Sequence, residues 1–155
     1  MTERDGETSF NTLRGFVNGE EPDEPIYFAY SASLRIFGDE LPLGEITREL
    51  GVQPTRTRRK GERPKPTSKT VYRDDAWFLS SSLPETEELH RHIDEVWAAI
   101  KPRAGYLKEL KKRFKVDVFC GYRSNCDHAG IEVPASSLEI FTALDIPFGV
   151  SIIVA

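Results

Sequence analysis

The sequence predicts an α+β two-layer sandwich, with helices on one face of a mixed or antiparallel sheet. Three observations carry this prediction. Runs rich in β-branched and aromatic residues alternate with segments whose apolar residues recur at helical spacing. The helical segments are short and bounded by Gly or Pro. Two short strand candidates fall close together near Gly130, which calls for an antiparallel hairpin.

Residues 1–25 hold seven acids against two bases, Arg4 and Arg14, and end in the turn-rich run EEPDEP. Such a segment buries too little apolar surface to offset the entropy of ordering, so a mobile acidic tail is predicted. Phe10, Leu13, Phe16 and Val17 lie at helical spacing within it. In an uncapped segment this predicts transient structure, with a short docking helix as the alternative.

A single domain is expected over residues 26–155. The run IYFAYSASLRIF reads as a strand, with Ala32, Leu34 and Ile36 on one face and Ser31, Ser33, Arg35 and Phe37 on the other. Gly38-Asp39 ends it. Pro42 suits the first turn of a helix whose stripe is Leu43, Ile46 and Leu50, and Gly51 stops that helix. A basic arm at 55–69 follows, broken by Gly61, Pro64 and Pro66, which predicts a loop or an irregular hairpin.

Val71 to Ser81 reads as a strand with Trp77 and Leu79 on one face and Phe78 and Ser80 on the other. Ser82 and Glu85 have the spacing of a capping box. Leu89, Ile93, Val96, Trp97 and Ile100 then mark a helix, and Pro102 interrupts it. A second helix is predicted from about Ala104 to Phe114. KVDVFCGYR is a strand with Val116, Val118, Cys120 and Tyr122 on one side. Gly130 to Val133 is a short strand and Pro134 to Leu144 a short helix. The end, PFGVSIIVA, is apolar enough for a central strand. With its helices segregated to one layer, this succession fits a ferredoxin-like arrangement.

Charge is distributed unevenly. The chain carries 21 Lys and Arg against 25 Asp and Glu, a net charge of −4. Thr55 to Lys69 holds seven of those cations and one anion, leaving the remainder with 14 positive and 24 negative charges. A cationic arm on an acidic body predicts an anionic partner, most simply an acidic protein. Arg56, Arg58, Arg59, Lys60 and Arg63 are the expected contacts, because Arg forks and Lys ammonium groups meet carboxylate or phosphate. The bland alternative is a solvated loop, or one paired with the chain's own acids. A nucleic-acid partner is the weaker reading, since the pI is near 5.5 and no aromatic residue interleaves the arm.

A second candidate is the sheet face away from the core. Ser33, Arg35, Phe37, Phe78, Ser80, Phe119 and Arg123 share it if the alternation holds, and a pocket converging on Arg35, Trp77 and Arg123 would hold a small anion. An uncovered apolar sheet face also serves as a homodimer surface.

Other chemistry is poorly supported. Cys120, Cys126 and His128 lack a zinc spacing, and His90 and His92 point in different directions on a helix. Cys120 reads as a core hydrophobe and His92 as a partly buried packing residue. No phosphate loop or nucleophile elbow is present, so neither cofactor nor metal is expected and the reading leans away from an enzyme. No secretory signal and no apolar run near ~20 residues is seen, which predicts a cytoplasmic protein.

Several runs resemble a bacterial family of small domains of unknown function, the DUF 4279 type. They are YSASLRIFGDELPLGEITRELGVQPTRTRRKGE, Trp77, SSS…ELHRHIDEVWAAIKP, KVDVFCGY and LEIFTALDIPFGVSIIV. The likeness covers residues 28–154, and its most specific pieces are Ser33 to Gly38, Leu50 to Thr55 and Lys60-Gly61. The resemblance implies a compact α+β domain of bacterial and phage genomes, with no reaction, cofactor or partner attached. The acidic tail and the RPKPTSK stretch fall outside its pattern. The expected function is a non-enzymatic binding module for an acidic partner, of immunity or regulatory type. An enzyme or small-ligand binder for an anionic molecule, and a nucleic-acid contact domain, are the alternatives.

Overall fold

The structure is a computed structural model, and it describes residues 24–127 and 129–155. The tail expected at residues 1–25 lies outside these apart from its last two residues, and so does His128.

Strand β1 (Phe28–Gly38) leads through a tight turn to helix α1 (Leu43–Leu50), which ends at Gly51 in the left-handed region, φ 69°. Strands β2 (Arg56–Arg58) and β3 (Asp75–Ser80) follow, then helices α2 (Leu89–Ile100) and α3 (Ala104–Leu110), separated by a turn of 3-10 helix at Pro102. Strand β4 (Lys115–Ser124), helix α4 (Glu139–Leu144) and strand β5 (Val150–Val154) complete the chain. The sheet order is β2-β3-β1-β4-β5, antiparallel throughout except that β5 runs parallel to β4. This is the α+β architecture expected, and the β1-α1-β2-β3-α2-β4 succession is compatible with a ferredoxin-like unit to which α4 and β5 are appended.

The helices cover one face of the sheet. The core joins Leu34 and Ile36 of β1, Trp77 of β3 and Val116, Val118 and Cys120 of β4 to Ile46 and Leu50 of α1 and Ile93, Val96 and Ile100 of α2. The face assignments for β1, β3 and β4 therefore hold. His92 is buried at 2 % exposure and Cys120 at 1 %. Burial pushes the Cys120 thiol up to about 12, so it packs as an apolar group.

Four expectations are corrected. Gly130 to Val133 forms no strand; Ile131 and Val133 are half-buried against the core, so their alternation reflects packing and not a ladder. The predicted hairpin there is absent. Strand β5 is an edge strand and not a central one: apolar residues on both its faces made it look central, yet it pairs only with β4 and Ile152, Ile153 and Val154 are all exposed. The Ser82/Glu85 capping box does not form. Helix α2 begins at Leu89 without a side-chain cap, while the Ser82 hydroxyl binds Glu95 instead. The helix expected to reach Phe114 stops at Leu110 and continues as a tight turn that carries Phe114 onto the core.

A candidate anion-binding face

The basic arm is an irregular hairpin, and its start and end are fixed by separate devices. At its start, the Thr55 N–H and hydroxyl both donate to the Phe78 carbonyl, at 2.8 and 3.1 Å, and the Thr55 hydroxyl accepts from Ser80 N–H. Residues 56–58 then pair with β3. Gly61, at φ 88°, makes the turn, a backbone conformation that favours glycine. Gly61 and Tyr72 are joined by a backbone hydrogen bond, as are Tyr72 and Glu62.

Asp75 ties the arm to the domain. Its carboxylate accepts from the Lys60 N–H at 2.7 Å, the Leu41 N–H at 3.0 Å and Arg59 Nη1 at 3.0 Å, and Arg59 also donates to the Leu41 carbonyl. The backbone N–H of Lys60 above all, with that of Leu41 and the Arg59 guanidinium, holds the Asp75 carboxyl below the usual range against the opposing cost of burial.

Strand register then builds a face opposite the helices. Arg56 stands beside Phe78, Phe78 beside Arg35, and Arg35 beside Asp117, one row across four strands. The next row holds Arg58, Ala76, Phe37 and Lys115. On the other side lie Ser80, Ser33 and Phe119, with the two serine hydroxyls 2.7 Å apart. Guanidinium groups lie over the rings. Arg56 sits 4.4 Å from the Phe78 centroid, Arg58 4.3 Å from Tyr72 and 5.4 Å from Phe37, and Arg35 5.0 Å from Phe119. Ser33, Arg35, Thr55, Arg56, Phe78, Ser80 and Phe119 line a shallow pocket of about 430 Å³.

The eight expected contact residues divide. Arg35, Arg56 and Arg58 come together on this face. Arg35 is held by Asp117 through two hydrogen bonds of 2.7 and 2.8 Å, and Arg58 by Asp74 at 2.6 Å. Arg59 and Lys60 turn toward Asp75 and Asp39 instead. Arg63 is exposed near the arm's tip. Arg123 shares the face but lies six residues beyond Asp117, roughly 20 Å along β4, beside Glu85. Trp77 is fully buried on the helix side and takes no part in the pocket. Alternation alone places Asp117 and Phe119 together; that Asp117 would meet Arg35 needed the register. Nothing in the sequence marked Tyr72 or Asp75, and Thr55 stood out only as the end of the run Leu50 to Thr55.

A second polar cluster lies on the helix side. His92 Nδ1 is 2.9 Å from Ser81 Oγ, which lies 2.6 Å from a Glu95 oxygen, and His92 Nε2 is 3.0 Å from the Glu87 carbonyl. Desolvation lowers the His92 pKa, and hydrogen bonds from Ser81 and Ser82 lower that of Glu95. With His92 buried, this cluster clamps the β3–α2 connection to α2 and offers no open base. Among the described residues no group of three His, Cys, Asp or Glu side chains could hold a metal, and no helix is long and apolar enough to cross a membrane.

Comparison with curated proteins and with solved structures gives no match. A family model, "Domain of unknown function (DUF4279)", matches residues 28–155, β1 through β5. The chain belongs to the DUF4279 family.

Proposed function

We propose that the domain is a non-enzymatic binding module whose outer sheet face takes a carboxylate of an acidic protein partner at Arg56. One observation supports this above others. Arg35, Arg58 and Arg59 each have a carboxylate of their own, whereas exposed Arg56 sits over the Phe78 ring with no acidic partner among the described residues. The ring contact restrains an exposed guanidinium, so less freedom is lost when a carboxylate docks. Ser33, Ser80 and Thr55 supply hydroxyls beside it. A regulatory or immunity-type role in a bacterial cytoplasm belongs to this reading; two free, buried cysteines suit a reducing compartment.

The rings on this face support a second reading, single-stranded nucleic acid, since aromatic and guanidinium planes both stack on bases. It is the weaker one because the most central ring, Phe78, is only 8 % exposed beneath its arginines.

Fluorescence anisotropy with labelled oligoglutamate and oligothymidylate tests the proposal. Oligoglutamate is expected to bind, and Arg56→Glu to weaken it about tenfold or more, the loss of one charge-assisted contact. An unchanged affinity in Arg56→Glu sinks the reading. Preference for oligothymidylate with a steep fall in salt would transfer the face to nucleic acid.

A further inference from the structure

The helix layer stops short of the last strand. Helix α4 has six residues and ends at Asp145, whose φ of 51° turns the chain away. Beyond that end the helix-side residues of β5 are left without a helix above them. Val150, Ile152 and Val154 pair in register with Cys120, Tyr122 and Ser124 of β4, so they continue the core face outward. Ile131 and Val133, between β4 and α4, border the same space, and Phe148, edge-on to Phe141 at 4.9 Å, stands at its side.

The result is a cavity of about 510 Å³, within the range of ~300–1,000 Å³ typical of small-molecule sites. Its lining is aliphatic and aromatic, and it opens to solvent along Ile152, which is 60 % exposed, and Val154, 51 %. Among the described residues, Asp127 is the one charged side chain that lines it. A concave apolar wall of this size is an unusual thing to leave in water.

We infer that this cavity binds a small aliphatic molecule with a neutral or cationic head group. Its apolar body lies along Val150, Ile152 and Val154, where burial drives association. Its head faces the Asp127 carboxylate, which repels an anionic head and attracts an ammonium. The site is on the opposite side of the sheet from Arg56, so it stands or falls independently of the anion-binding face.

Calorimetric titration of the full chain with octylamine, octanol and octanoate tests this. Octylamine and octanol are expected to bind, with octanoate about threefold or more weaker, the size of an exposed charge effect. Asp127→Asn removes that difference. Ile152→Glu abolishes binding of octylamine and octanol; because Ile152 is exposed, the variant is expected to unfold at the wild-type temperature, which separates lost binding from lost folding. The inference is overturned if neither octylamine nor octanol binds the wild type, if octanoate binds as well as octylamine, or if Ile152→Glu binds unchanged. A wild-type dimer that Ile152→Glu dissociates would assign the face to a second copy and overturn it equally.

Discussion

Trp77→Ala is expected to lower the unfolding free energy by about 3–5 kcal/mol, the range for deleting a fully buried indole. Trp77 has no exposed surface and joins the β3 strand to Ile46 and Leu50 of α1 within one core cluster. Its indole N–H donates to Thr47 Oγ1 at 3.0 Å, and that hydroxyl donates in turn to the Leu43 carbonyl at 3.1 Å. Alanine leaves a cavity and strips the Thr47 hydroxyl of its donor. For a domain of this length the loss corresponds to roughly 10 °C or more in Tm. Trp77→Phe keeps most of the volume and is expected to cost less than half as much. Urea unfolding followed by circular dichroism reads both variants. A loss under about 1 kcal/mol in Trp77→Ala would mean that α1 is not packed on β3 as described.

Asp75→Ala carries the second large effect, about 2–4 kcal/mol, although it removes a charged side chain. The backbone N–H groups of Leu41 and Lys60 both depend on this carboxylate, and Leu41 is 1 % exposed. Without it a buried donor is left unsatisfied, which costs more than an ordinary hydrogen bond contributes. The same residue gives the fold an acid limit. Folding lowers the Asp75 pKa, so the unfolded chain takes up the proton more readily than the folded one. The stabilisation is therefore complete above the ordinary carboxylate range, near pH 4, and is withdrawn as pH falls through the lowered value. Asp75→Asn is expected to be less stable at neutral pH and to lose less of its remaining stability on acidification. Equal acid sensitivity in the two proteins would show that other carboxylates set the limit.

How much of this was legible in sequence depended on range. Period-two alternation placed Leu34, Ile36, Trp77, Val116 and Val118 on the core face, because one residue's burial constrains its second neighbour. The α2 stripe was equally clear. Alternation failed at Ile131 and Val133, where a loop packs over the sheet and imitates a strand. It failed again at β5, since an apolar strand can be central or an uncovered edge, and only the strand order of the whole sheet decides which. In the candidate site, the residues of one strand were readable and their cross-strand partners were not. Arg35 was predicted to face outward, but the Asp117 that holds it sits 82 residues away, and the register that brings them together is a property of the whole sheet. The arm's cationic surplus was visible at once; its counter-ions, Asp74, Asp75 and Asp39, lie outside the arm.

Those counter-ions change what the arm contributes to an encounter. Arg58, Arg59 and Lys60 are each matched by a carboxylate within 4 Å, so at a distance they largely cancel. The long-range field of the arm then comes from exposed Arg63, Lys65 and Lys69 near its tip, while Arg56 waits at the base beside the pocket. The proposed binding then divides capture and retention between different residues. On the proposed reading, tip cations would govern how often an acidic partner arrives and how strongly salt slows its arrival, and Arg56 would govern how long it stays.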